Sequence, residues 1–547
     1  MVQGRNTFKL GIDFSNIHAS LFQTSNPVGE FDFNSNMTSD GTGSATAGGI
    51  GVASFLTGNA VTVSRDSMSG YPHYLTKQFF PFVQDDFRVT PKLTLNLGAR
   101  YEIYTAAKEL HNDQANFDLT TGNLLDACIA TTCSGGVKTS YGNAEPRIGF
   151  AYSVNPKTVI RGGFGVSAFP PGSGGQLGTL AENEPWEEGQ QFNSATPSTP
   201  GPTLANGIPG LTPLQLRPGA GPGAYIATGS HIYWLDPNLR QTKAFQWNLD
   251  VERALAPNLL LDVAYVGNSV VGIYLNVPGN YAELDPTSKL SIQERRPYYA
   301  TNPDLQQFGK RLNVGHSDYH SLQAKLDKKF SHGLSFLGAY TWSKNLQRGV
   351  DYVNPDHYMQ KDVSGQDLKQ RFVLSYSYEL PIGRGKLLGK DMNRGLNAAV
   401  GGWQIQGITV LRTGLPFTVG LGTSELDNGL GNLPNRNGSG KQSNPSVKEW
   451  FDWTQFSQPG DQYGNSGYNI LRGPGGKNND MSLFKNFNFT ESLYVQFRAE
   501  FFNVFNNVEF GNPNASYCGG TCGEGTITSF AAGYNPREMQ FALKLYF

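Results

Sequence analysis

The sequence predicts an all-β protein, an antiparallel transmembrane β-barrel with about 14 strands present. Three features carry that expectation. Glu538–Phe547 alternates without a break, with Met539, Phe541, Leu543, Leu545 and Phe547 on one face and Glu538, Gln540, Ala542, Lys544 and Tyr546 on the other. A strand reverses side-chain direction at every residue, so such a segment is apolar on one side and polar on the other. Tight turns alternate along the chain with long connections rich in Gly, Pro, Ser and Asn. Finally, 66 Gly and 12% aromatic residues accompany only 16% charged residues, a profile of strands and turns. The mean hydropathy is −0.38, and no uncharged apolar run of about 18 residues is present, so no helical span is expected. A barrel escapes that test because only alternate residues face lipid.

In chain order, Thr7–Ser15 is the first strand. Phe79–Val89 turns at Thr90-Pro91-Lys92 into Leu93–Tyr104, where Leu93, Leu95, Leu97, Ala99, Tyr101 and Ile103 share one face and Thr94, Asn96, Gly98, Arg100 and Glu102 the other. Pro146–Val154 turns at Asn155-Pro156-Lys157 into Thr158–Phe169, and Phe245–Leu255 turns at Ala256-Pro257-Asn258 into Leu259–Asn268. Tyr319–Phe330 turns at Ser331-His332-Gly333 into Leu334–Ser343, and Asn479–Phe489 reaches Leu493–Asn503 through Thr490-Glu491-Ser492. Pro, Asn and Gly at these corners are turn chemistry. The other connections, residues 16–76, 105–143, 170–242, 269–316, 344–366, 414–478 and 506–536, are long and almost without periodicity. Short turns on one side and long loops on the other is a barrel asymmetry, with the long loops extracellular. The first strand then runs outward and the last inward, which an even strand number satisfies.

The inward set comprises Arg100, Glu102, Arg147, Arg161, Asp250, Glu252, Lys325, Asp327, Arg498, Glu500 and Lys544. In lipid an Arg or Lys would cost about 2–4 kcal/mol at the midplane. In a wet lumen these charges can pair across strands. Phe79, Phe80, Phe82, Tyr101, Tyr104, Trp247, Tyr340, Trp342, Tyr376, Tyr378, Trp403, Tyr546 and Phe547 sit mostly near strand ends, where girdles at the two headgroup levels are expected.

Cys128/Cys133 and Cys518/Cys522 form two short pairs in loop segments with no His nearby. Two local disulfides in an oxidising compartment are expected rather than a zinc site. A net charge of −1 supplies no field for nucleic acid. No cofactor is expected. Met1-Val2-Gln3-Gly4-Arg5 lacks the features of a signal peptide, which a chain crossing the inner membrane needs, so the sequence is expected to be a fragment.

Motifs that could carry chemistry read more simply. Arg472-Gly-Pro-Gly-Gly-Lys477 lacks the earlier Gly and the following Ser or Thr of a phosphate loop. Asp85 and Asp86, within one strand, point to opposite faces, and these acidic pairs, Glu187-Glu188 included, read as lumen or interface polarity. His316 and His320, four apart on a strand, lie roughly 13 Å apart along it. No G-x-S-x-G elbow is present. The chain is expected not to be an enzyme.

Phe82–Tyr101, Pro146–Tyr152, Thr158–Phe164, Phe330–Phe336 with Tyr340–Lys344, Gln370–Leu374 with Leu380–Lys386, Phe497–Phe505 and Pro536–Phe547 together resemble the Oar-like subgroup of TonB-dependent outer-membrane receptors. The resemblance spans about residue 79 to the end and implies a barrel of about 22 strands filled by a plug. A signal peptide, a carboxypeptidase-regulatory-like domain, the plug, the TonB-contacting box and roughly eight strands would precede residues 1–547, all of which are barrel. The ending Phe541, Leu543, Leu545 and Phe547 resembles the signal read by the barrel assembly machinery. The function implied is energy-coupled passage of a bulky solute across the outer membrane of a Gram-negative cell. Expected partners are outer-membrane lipid, the assembly machinery, an unknown solute and, through the missing part only, the TonB complex. The alternatives are an ungated porin or surface adhesin, and more remotely an outer-membrane barrel hydrolase.

Overall fold

The computed structural model describes residues 2–22, 24, 26–40, 48–169, 176–193, 201–209, 224–226, 232–349, 360–422, 426, 428, 430–490 and 492–547. Glu491, in the last expected turn, lies outside the described residues, as does the side chain of Glu188. An 18-stranded sheet dominates, built from long strands with a few two- or three-residue additions. We label the long ones β1 (Asn6–Ser20), β2 (His73–Thr90), β3 (Leu93–Tyr104), β4 (Ser140–Asn155), β5 (Thr158–Phe169), β6 (Thr242–Ala256), β7 (Leu259–Gly279), β8 (Phe308–Ser331), β9 (Leu334–Arg348), β10 (Gln370–Glu379), β11 (Trp403–Arg412), β12 (Gly476–Asn488), β13 (Tyr494–Phe502) and β14 (Glu538–Tyr546). Each pairs antiparallel with the next in sequence, from β1 with β2 to β13 with β14.

The turns fall as the punctuation predicts: Pro91-Lys92, Pro156-Lys157, Pro257-Asn258 and His332-Gly333 separate β2/β3, β4/β5, β6/β7 and β8/β9. His332 and Gly333 both take positive φ, 52° and 78°, which Gly accepts without a Cβ penalty. The connection between β10 and β11 departs from the pattern. Residues 380–402 contain a short helix, Arg394–Val400, instead of a tight turn.

Directly opposed residues in a ladder share a face, so the register carries one face across the whole wall. It runs from Lys544 opposite Gln496 and Arg498 opposite Phe484, through Phe484 opposite Gln404 and Leu337 opposite Asp327. It continues through Lys325 opposite Asp262, Asp250 opposite Arg161, Arg147 opposite Gly98 and Arg100 opposite Phe82. The other face is apolar and open: Leu10, Ile12 and Phe14 of β1 are 76%, 68% and 60% exposed, and Phe541, Leu543 and Leu545 of β14 are 66%, 73% and 58% exposed.

Three expectations need correction. Several loops are shorter than expected where their strands outgrow the bilayer: β7 has 21 residues and β8 has 24, so the expected loop 269–316 shrinks to 280–307. At ~3.3 Å per residue a strand like β8 is ~80 Å long, well beyond an apolar band ~25 Å tall even when tilted. The loops are also not structureless. They carry small sheets of their own, one ordering Glu187–Asn193, Thr62–Met68 and Glu30–Asp32, another Ala224–Ile226, Asn123–Asp126 and Ala115–Asp118. Buried cores sit there: Ala115, Phe117, Leu124, Ile232 and Leu305 pack with Phe308 at the head of β8, and Phe417, Val419, Phe451, Phe456, Leu471 and Tyr517 form another. Lastly, Phe80, Phe82, Tyr104 and Tyr546 do not join a lipid-facing girdle. Their partners Asp13, Arg100, Gln78 and Tyr494 place them on the polar face.

The two ends of the sheet do not meet. β14 pairs only with β13, while β1 pairs with β2 and with the two residues Val2–Gln3. Among the described residues no ladder joins β1 to β14.

Candidate functional site: the polar face of the wall

Strand alternation and the unbroken register bring all eleven residues of the inward set to one face. Most of their charges are met locally. Arg100 lies 2.7 Å from Glu102 and 3.5 Å from Asp13, with its guanidinium 4.8 Å over the Phe80 ring. The Tyr104 hydroxyl donates to Glu102. Arg147 reaches Glu145 at 3.5 Å, and Glu145 also accepts the Ala168 N–H at 2.6 Å. Arg161 on β5 donates to Glu252 on β6 at 2.9 and 3.5 Å, the cross-strand fork expected of such a face. Asp327 pairs with Lys329 at 2.9 Å. Arg498 lies 5.0 Å over the Phe484 ring, and Gln540 donates to Glu500. No pairing of Lys325 or Lys544 accompanies these among the described residues.

The same face holds a concave pocket of about 1070 Å³ spanning β2 to β8. Gln84, Asn96, Arg100, Arg147, Ser167, Gln246, Asn248, Asn268 and Tyr319 furnish its polar side chains, and Gly98, Gly149, Gly163 and Gly165 leave its floor as bare backbone. Amides, two guanidiniums and hydroxyls suit binding of a polar body. Asp86 belongs to this face and accepts from Asn96 at 2.7 Å, Gln84 at 3.2 Å and Lys9 at 3.3 Å. Asp85, on the opposite face, accepts the Thr7 N–H at 3.2 Å.

The loop rim is braced by buried charge. Asp367 is fully buried, accepts the Asn345 N–H at 2.5 Å and ion-pairs with Arg472. Arg472 also donates to the carbonyls of Asp367 and Gly414 at 2.8 and 3.1 Å. The Arg472–Lys477 stretch is therefore a strut between loops. Burial, together with neighbouring Glu182 and Asp66, pushes the Glu187 carboxyl up to about 8. Both cysteine pairs are joined, Cys128 to Cys133 and Cys518 to Cys522. Burial alone would raise the Glu524 carboxyl beside the second, but it is held low by N–H donors of Gly520 and Cys518 at 2.7 and 2.8 Å. That carboxylate closes the loop around the disulfide, and among the described residues no other group of His, Cys, Asp and Glu gathers as metal ligands would. His316 and His320 go separate ways, the first to Asp318 at 2.8 Å and the second to the Tyr265 hydroxyl at 2.8 Å.

Sequence reasoning missed the polar-face aromatics beside Arg100 and the loop cores. Three aromatics, Phe79, Phe80 and Phe82, crowd around Pro81, and alternation alone cannot tell which belong to which face until the partner strand is known.

Several solved structures are similar to the chain at low identity. The pyoverdine outer membrane receptor FpvA from Pseudomonas aeruginosa PAO1, bound to pyoverdine, is 12% identical over 88% of this chain and 43% of its own, with a TM-score of 0.42. The outer membrane transporter YddB from Escherichia coli is 10% identical over 100% of this chain and 52% of its own, TM-score 0.46. The FrpB iron transporter from Neisseria meningitidis is 10% identical over 100% of this chain and 53% of its own, TM-score 0.44. The chain thus spans about half the length of these proteins or less. No curated protein matches the sequence. The family model described as an outer membrane beta barrel domain matches residues 1–540. With nearly its whole length matched, and with one apolar and one polar face to its wall, the chain belongs to the outer membrane beta-barrel domain family and resides in the outer membrane.

Proposed function

We propose that this chain is wall and loop cap of a TonB-dependent receptor of the Oar-like kind, which passes a bulky solute across the outer membrane. The observation that carries the reading is the pocket of about 1070 Å³ on the charged face. Its size suits a body far larger than a simple ion, and its bare-backbone floor lets such a body approach closely. The long folded loops would recognise the solute, and the short-turn side would face the periplasm. In this reading a signal peptide, a carboxypeptidase-regulatory-like domain, a plug and further strands precede residue 1. Energy from the TonB complex would enter through that part. The apolar run Phe541, Leu543, Leu545 and Phe547 would be presented to the barrel assembly machinery. The chain performs no chemistry of its own in this scheme.

Planar-bilayer conductance tests the reading. The genomic sequence upstream of Met1 should encode a plug in the same frame, and the joined protein should conduct almost nothing, while the same protein with the plug excised should form large open channels. Equal, large conductance with and without the upstream part would overturn the gated-receptor reading in favour of an ungated porin.

A further inference from the structure

Residues 380–402, the long connection between β10 and β11, fold against the apolar face of the wall. Trp403 and Lys485 hold them there. Both lie on the apolar face, opposite each other in the ladder and next to Phe497 of β13. The Trp403 indole donates to the Ala399 carbonyl at 3.0 Å, and Lys485 Nζ donates to the carbonyls of Ala399 and Gly401 at 3.2 and 2.5 Å. Asn393 caps the helix Arg394–Val400 by accepting the Leu396 N–H at 2.8 Å.

Two kinds of side chain remain facing out. Leu387, Leu388, Leu396 and Val400 are 85%, 55%, 50% and 40% exposed. Among them stand Arg384, Lys390 and Arg394, all exposed and without an acidic partner among the described residues. Lys386 alone is paired, with Glu379 at 3.1 Å, and Asp391 is the only acidic residue of the segment. A whole-chain charge of −1 conceals this local excess of cations. The leucines lie on the connection that leads into the start of β11, and in a membrane-embedded wall that end of the strands is where hydrocarbon would give way to headgroups. Apolar side chains interleaved with cations at that depth match anionic lipid.

We propose that residues 380–402 form an interfacial anchor that binds anionic phospholipid headgroups at the short-turn rim; this rests on the membrane-embedded wall. The test uses the refolded chain in vesicles with a fluorophore at Leu387→Cys, quenched by brominated phosphatidylglycerol or brominated phosphatidylcholine. A second fluorophore at Leu543→Cys reports on the wall itself. Both lipids should quench the wall probe equally, whereas phosphatidylglycerol should quench the Leu387 probe several-fold more strongly. Each of Arg384→Gln, Lys390→Gln and Arg394→Gln should lower that preference roughly fivefold at most, the triple variant abolishing it. Equal quenching of the Leu387 probe by the two lipids, or none by either, overturns the anchor while the wall probe is still quenched. A wall probe that neither lipid reaches would instead sink the embedded wall.

Discussion

Arg100 and Leu97 stand on the same strand and meet different solvents. Arg100 is held by Glu102, Asp13 and the Phe80 ring on the polar face, while Leu97 is 41% exposed on the apolar one. Replacing Arg100 by Leu should hardly alter membrane insertion. Leu97→Arg should cost about 2–4 kcal/mol if its position lies near the midplane; urea unfolding in vesicles measures both, and a larger loss from Arg100→Leu would mean the faces are reversed. Glycine and aromatic residues meet in a recurring way. A Cβ on Gly267 would lie 2.3 Å from the Trp247 indole, one on Gly162 2.5 Å from Phe150 and one on Gly407 2.6 Å from Tyr376. Each ring lies across the glycine directly opposite it on the next strand. Gly267→Ala should therefore push Trp247 off its place at a cost of about 1–3 kcal/mol, visible as a shift in tryptophan emission and a lower unfolding midpoint. Alternation was legible in the sequence because polar and apolar residues take turns. Which glycine receives which ring was not, because that depends on register, and register is a property of two strands at once.

At the scale of elements, the turn dipeptides were legible because Pro, Asn and Gly dictate local backbone without reference to anything distant. The loop sheets were not, since Thr62–Met68 finds its partner Glu187–Asn193 more than a hundred residues away. That strand pair carries a pH dependence. Glu187 titrates near 8 in the folded protein, against 4.5 ordinarily. Between those values the opened loop loses a proton that the closed loop keeps, so closure weakens as pH rises through that window and is steady above it. Hydrogen exchange at Thr62–Met68 should accelerate from about pH 5 to about pH 8 more than chemistry alone dictates, and Glu187→Gln should flatten the excess. No excess acceleration in the native protein would refute the assignment. Reduction of Cys128–Cys133 and Cys518–Cys522 acts on sequence separations of only 5 and 4, and short loops store little closure entropy. Proteolysis near these cysteines should rise on reduction while strand content by circular dichroism stays constant.

For the whole molecule, the unjoined edges of β1 and β14 matter most. A row of unpaired N–H and C=O groups facing hydrocarbon is strongly disfavoured; in the receptor proposed above, further strands would cover these two edges. A pair of nitroxides at Leu10→Cys and Leu543→Cys in the chain alone should report separations well above the ~5 Å spacing of neighbouring strands. One narrow, short distance would mean that the sheet closes on itself. The fold class was readable because the whole wall repeats one pattern. The openness was not, since edge pairing leaves no mark on the alternation of either strand.

The placement of the buried clusters has a thermal consequence. Phe117, Leu124 and Phe451 are shielded from water by their own loops, whereas the leucines of β14 are shielded by whatever fluid surrounds them. The caps are ordinary small globules on a frame whose cohesion is borrowed from its host. Heating in detergent should therefore melt the caps in a first, heat-capacity-rich calorimetric step, leaving the staves standing until a hotter second one.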